Sequence, residues 1–214
     1  MRPIIQRLPR VGRAWKPLIF ANSNFERIAP DEKVEEELIP KYTASHYYPV
    51  RIGEVLRDRY QIVGKLGFGR SSTVWLARDL DGRRHVALKL FINSAAMGEE
   101  LDHESSIYRR ISNTPANAHP GRAAVRQLLD SFDAAGPDGS HRCLVHPPSW
   151  ESLLTFLHRN PVRRLPKPLM ALSLYQAFLA LDFLHTECRL IQTGEFSSLC
   201  PLTPTTERLR MPLE

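Results

Sequence analysis

The sequence predicts an α+β fold, with a five-stranded antiparallel sheet and one helix followed by an all-helical stretch. Three observations predict it. Alternating apolar segments recur between short turn signals from Tyr60 to Val145. One amphipathic helix, Glu99 to Ser112, interrupts them. Only helical periodicity follows Trp150, and no segment repeats.

The first strand is Tyr60 to Leu66. The second returns over Thr73 to Asp79, and Asp81-Gly82 supplies the turn into the third, His85 to Phe91. Turns this short leave these three strands no arrangement but antiparallel neighbours. In the helix, Leu101, Glu104, Tyr108 and Ile111 recur at spacings of three and four and share one face. Asn113-Thr114-Pro115 ends it. Strands four and five are read at Val125–Leu129 and Arg142–Val145, with Ala135–Gly139 as the intervening turn, and Pro147-Pro148 stops the fifth. A short helix is expected from Trp150 to Arg159 and a longer one from Leu169 to Cys188, with Leu174, Phe178, Leu181 and Leu184 on one stripe.

A chain of 214 residues with 43% hydrophobic and 24% charged side chains can bury a sizeable core. The net charge of +6 comes from scattered basic residues without interleaved aromatics, so no nucleic-acid partner is expected. No long apolar run predicts a membrane span. The three cysteines, Cys143, Cys188 and Cys200, fit neither a disulfide framework nor a zinc site. Before Glu26 the chain carries Arg2, Arg7, Arg10, Arg13 and Lys16 without an acidic residue, a pattern similar to a mitochondrial presequence or a disordered basic tail. The acidic run Asp31–Glu37 is expected to stay solvated.

The chemistry concentrates in Gly-Lys-Leu-Gly-Phe-Gly-Arg-Ser-Ser-Thr-Val-Trp, residues 64–75, followed by Val86-Ala87-Leu88-Lys89. Gly67 and Gly69 let backbone amides approach phosphate oxygens closely. Phe68 would cover the tip, Ser72 stands where the general motif has a third glycine, and Lys89 follows on the next strand. An ammonium between Leu88 and Leu90 needs a counter-ion. Glu104, on the inner face of the following helix, is the candidate, with Glu99 and Glu100 as alternatives.

With Tyr48–Val55, Leu66–Leu76 and Leu181–Cys188, these motifs make the chain resemble a eukaryotic-type serine/threonine protein kinase, and within that family the fungal SR-protein kinases. The resemblance covers about residues 25 to 193. It implies a protein-kinase-like fold with an incomplete helical C-lobe. The divisions it implies are an N-terminal extension (1–45), an N-lobe and hinge (46–148), the start of the C-lobe (149–193) and an unrelated tail (194–214). It also implies ATP as ligand and transfer of the γ-phosphate to protein Ser or Thr. Leu66, Gly67, Phe68, Gly69, Arg70, Ser71, Ser72, Thr73, Val74, Ala87, Lys89 and Glu104 would form the nucleotide site. Cys143–Trp150 aligns with the adenine-binding hinge, with His146 as gatekeeper; Pro147 would offer its carbonyl and Ser149 its amide. An Arg/Ser-rich protein substrate and a cytoplasmic or nuclear location are implied by the group.

The family's catalytic loop departs here. Where an Ile-His-Thr-Asp run belongs, the chain has Ile191-Gln192-Thr193-Gly194, and no Asp-Phe-Gly occurs. The family's magnesium ligands and catalytic Asp are therefore missing, and no catalytic residue and no metal ligand is assigned. A complete domain of this kind needs roughly 250–300 residues, so the expectation is a truncated, inactive kinase. The alternatives are a nucleotide-binding pseudokinase or scaffold, or a gene-model fragment. Gly194-Glu195-Phe196 can be encoded through GTGAGT, the usual start of a spliceosomal intron, which reads the tail as translated intron.

Overall fold

The computed structural model describes residues 13–20, 28–29, 31–97, 99–115, 119–149 and 153–191. Most of the basic N-terminus, Trp150 and the tail 194–214 lie outside them, as do the departures at Gln192 and Gly194. The chain forms two compact units. One comprises Met1–Met97 with Ser131–Val145, the other Gly98–Asp130 with His146–Glu214.

The first unit is built on a six-stranded sheet. Its strands are β1 (Val55–Leu56), β2 (Tyr60–Gly69), β3 (Ser72–Asp79), β4 (Arg84–Asn93), β5 (Asp130–Gly136) and β6 (Gly139–His146), in spatial order β1-β2-β3-β4-β6-β5. The sequence reading gave five strands. The sixth, β1, is two residues long and pairs antiparallel with the start of β2, Leu56 opposite Tyr60. Its tight turn uses Arg57 and Asp58 at φ 53° each, left-handed without glycine. Two residues carry no periodicity, so no pattern could reveal this strand.

The central strands β2, β3 and β4 are antiparallel neighbours, as the turns require. Tyr60, Ile62, Ala77, Val86, Leu88, Leu90 and Phe91 are buried there, and Phe132 of β5 stacks on Tyr60 with ring centroids 5.5 Å apart. A one-turn helix, α1 (Ser94–Met97), leaves the end of β4.

The fourth strand lies later than read, at Asp130–Gly136 rather than Val125–Leu129. Phe132 and Ala134 alternate inward along it. Val125 instead joins the core of the second unit, so its apolar character belongs to that core and not to a strand ladder.

The described part of the N-terminus is tied to the first unit. Trp15 donates its amide to Leu80 O at 2.8 Å. The Gln61 side-chain amide accepts from Leu18 N and donates to Leu18 O, both at 2.8 Å. Arg78 lies 4.7 Å from the Trp15 ring centroid. The acidic run is not fully solvated either. Glu35 and Glu36, in a 3₁₀ turn over Glu35–Leu38, both pair with Lys65 of β2.

The second unit contains α2 (Glu99–Asn113), a 3₁₀ turn over Pro120–Ala124, α3 (Leu153–Arg159) and α4 (Lys167–Thr186). Ile111, Ala124, Val125, Ala180, Phe183, Leu184 and Cys188 form its core. Gly121 is glycine because α4 passes so close: a Cβ there would sit 1.8 Å from Leu179 O. Although α4 is long and apolar enough to cross a membrane by length and composition, it buries Ala180, Phe183 and Leu184 in this core.

Candidate nucleotide site

The predicted residues fall into two groups, one in each unit. In the first unit, Arg70 and Ser71 form the turn between β2 and β3. The pairing of β2 with β3 slips by one residue between Lys65 and Gly67, leaving Leu66 as a bulge that is half exposed. Gly67 then faces Val74, Phe68 faces Thr73 and Gly69 faces Ser72. Val74 pairs with Lys89 of β4, and Leu76 with Ala87. Paired residues share a side of the sheet, so Val74, Leu76, Ala87 and Lys89 line one face. Ala87 is fully buried, Val74 and Lys89 are half-buried, and Phe68 is exposed at the tip.

The Lys89 ammonium lies 4.6 Å from the Phe91 ring centroid, over an electron-rich face two residues along the same side. Ser72, where the motif departs from its third glycine, and the following Thr73 are buried.

Gly67 is not required by the protein's own packing. A Cβ built on it meets nothing within 4 Å, and its φ is not in the left-handed region. A residue that neither the turn geometry nor a neighbour forces to be glycine leaves open space over the hairpin. That is the condition a close-approaching phosphate needs, so the residues present fit a nucleotide.

In the second unit, Glu104 is half-buried on α2 one turn before Tyr108. Burial pushes the Tyr108 hydroxyl up to about 12, the Glu104 charge pushes the same way, and Arg126 opposes both. Burial lowers the Arg126 guanidinium below its ordinary value, against the pull of Tyr108 and Glu104. Sequence reasoning missed Arg126. A single arginine between apolar residues gave no signal, because the segment read as a strand.

His146, at the end of β6, is completely buried, and its Nδ1 lies 2.9 Å from Gln127 O. Its ring centroid is 5.3 Å from that of Tyr108, which places α2 against the residue expected as gatekeeper. Pro147 is half-buried and Ser149 exposed in the coil beyond.

A second missed set surrounds the hairpin. Tyr47 donates its hydroxyl to Arg70 O at 2.9 Å, with Gly69 O at 3.3 Å. Lys65, held by Glu35 and Glu36, sits 5.6 Å from the Phe68 ring centroid and 5.5 Å from that of Trp75. Burial would depress the Lys65 ammonium, but the bonds from the two glutamates outweigh it and hold its pKa above the ordinary value.

No family model matches the chain. Among curated proteins, a serine/threonine protein kinase of Aspergillus fumigatus is 41% identical over 173 residues, covering 81% of this chain and 43% of that protein. The protein kinase dsk1 of Schizosaccharomyces pombe is 37% identical over 162 residues, 75% of this chain and 30% of the relative. The mouse SRSF protein kinase 3 is 35% identical over 160 residues, 74% and 28% respectively. The chain thus spans less than half the length of these curated relatives. Over the aligned residues this chain is homologous to the serine/threonine protein kinases and, as its motifs indicate, resembles the SR-protein kinases among them.

Proposed function

We propose that the chain is the nucleotide-holding part of a protein serine/threonine kinase, binding ATP through residues 66–74, Ala87 and Lys89. The observation that carries this reading is the open space at Gly67 above a sheet face that bears Lys89. The hairpin amides would hold the phosphates, and the Lys89 ammonium would neutralise their charge. Leu66, Val74 and Ala87 would give adenine an apolar surface. For the second unit the reading rests on the resemblance: Pro147 and Ser149 as the groups that recognise the base, and Glu104 as the counter-charge of the phosphate-binding lysine. The domain divisions follow the same resemblance, with residues 46–148 as N-lobe and hinge and 149–193 as the opening of an incomplete C-lobe.

The mouse relative is named an SRSF protein kinase, and from that name, with the SR-protein kinase resemblance, we infer an Arg/Ser-rich protein as the substrate of the lineage. This chain itself transfers no phosphate, because Gln192 and Gly194 stand where the catalytic loop's His and proton-accepting Asp belong, and no Asp-Phe-Gly is present in the sequence to hold the metal.

Gly67→Ala tests the reading. The added methyl meets no protein atom within 4 Å, so the melting temperature should hold, while ATP affinity falls at least ten-fold and adenosine affinity stays. Lys89→Ala should give the same pattern in calorimetry. Equal ATP binding by wild type and both variants would refute the site.

A further inference from the structure

Tyr47 precedes the hairpin's turn by more than twenty residues, yet its hydroxyl reaches it. It lies 2.9 Å from Arg70 O and 3.3 Å from Gly69 O. The next carbonyl, Ser71 O, accepts from Ile92 N at 2.9 Å. Three successive carbonyls of the turn are thus held by groups outside it.

This has a geometric consequence. Among the described residues no peptide bond is cis, and across a trans peptide the C=O and the following N–H point in opposite directions. Fixing Gly69 O and Arg70 O toward Tyr47 fixes the amides of Arg70 and Ser71 away from it. Those amides belong to the segment expected to cradle phosphate. A free glycine-rich turn would have to give up the entropy of its alternative peptide orientations on binding, whereas a braced one has already given it up.

The brace is itself anchored. The Tyr47 ring packs 5.0 Å from Tyr42, centroid to centroid. The preceding 3₁₀ turn ties Glu35 and Glu36 to Lys65, and Lys65 lies against Phe68 and Trp75 on either strand of the hairpin. Two acidic side chains beside a phosphate site would repel a nucleotide if unpaired, and Lys65, shared between them, offsets one of the two charges.

We propose that Tyr47 is a positioning residue for nucleotide phosphates. Its hydroxyl orients the Arg70 and Ser71 amides, and the Glu35–Glu36–Lys65 cluster holds the segment that carries it. The proposal rests on the nucleotide reading of the hairpin and adds to it a residue from outside the motif.

The test compares the full chain with Tyr47→Phe, which keeps the ring and removes the hydroxyl, and with Lys65→Met, which releases the anchor. ATP and adenosine affinities are measured by calorimetry, and amide exchange is followed over residues 67–72 and at Ile92. Tyr47→Phe should weaken ATP roughly three- to five-fold, the size of one lost hydrogen bond at a partly exposed site. Adenosine affinity and the melting temperature should not change, and exchange at Ile92, whose amide is bonded to Ser71 O of the turn, should accelerate. Lys65→Met should move exchange in the same direction. Unchanged exchange in both variants overturns the proposal, as does an equal loss of ATP and adenosine binding, which would mean a general structural role. If wild type binds no ATP, the nucleotide reading falls, and the role proposed for Tyr47 in positioning phosphates falls with it. The exchange data then report whether the brace exists, so the two failures are distinguishable.

Discussion

Replacing Asp79 with Asn probes the turn that joins the two strands bearing Val74, Ala87 and Lys89. The Asp79 side chain is completely buried. It accepts from Arg59 Nε at 2.6 Å and Nη2 at 2.8 Å, from Gly82 N at 3.0 Å and from Arg84 Nε at 3.4 Å. Gly82 must be glycine for this, since a Cβ there would sit 2.3 Å from Asp79 Oδ2. Asn keeps the shape but turns one acceptor into a donor that faces other donors. A charge-assisted hydrogen bond is worth about 1.5–3 kcal/mol. The Arg59 side chain is 31% exposed, and water can take over part of its solvation when the carboxylate is gone. The expected loss is about 2–3 kcal/mol, or roughly 5–10 °C in melting temperature for a chain of this size. Burial alone would raise the Asp79 carboxyl, but Arg59, Gly82 and Arg84 together hold it below its ordinary 3.8. A depressed carboxyl contributes stability above 3.8, and that contribution is lost as the pH falls through the lower folded value. The gap between wild type and Asp79→Asn should therefore be widest at neutral pH and close below pH ~4. Thermal unfolding followed by circular dichroism from pH 7 to pH 3 reads both quantities. A gap that stays constant across this range, or is absent at pH 7, would refute the account of Asp79 as an ionised, paired group.

Two further outcomes follow from the second unit. Phe183 is fully buried against Ile111, Val125 and Ala180, so Phe183→Ala should cost about 3–5 kcal/mol in denaturant unfolding, and a loss below about 1 kcal/mol would mean the core is loosely packed. On the other side of α4, Leu174, Tyr175 and Phe178 are each about half exposed or more, an apolar patch of the kind at which chains associate. Leu174→Glu combined with Phe178→Glu should shift the chain toward monomer in sedimentation while leaving its helicity intact, and a wild-type chain that is already monomeric would contradict this.

How much was legible differs by element, for physical reasons. The hairpin and the Lys89 strand were readable because alternation and glycine turns are local signals, and they lie within the strands expected. The brace was not. Tyr47 and Arg70 are 23 residues apart, and Lys65 and Glu35 are 30 apart, so neither pair leaves a periodic trace. Glu35 and Glu36 looked solvated because a run of like charges usually is; the lysine that captures them sits in a strand whose pattern said nothing of them. The helix α4 shows the same limit within one element. Read as a stripe, Leu174, Phe178, Leu181 and Leu184 share a face, yet Leu174 and Phe178 are exposed while Leu184 is buried beside Phe183 and Ala180. A helix apolar nearly all round has no preferred face by periodicity, so a neighbour has to select it. Here the neighbour is the Pro120–Ala124 turn, and Gly121 lets it press against Leu179 O where any side chain would collide. A single missing Cβ, some sixty residues away in sequence, thus helps decide which residues of α4 become core and which remain available to another surface.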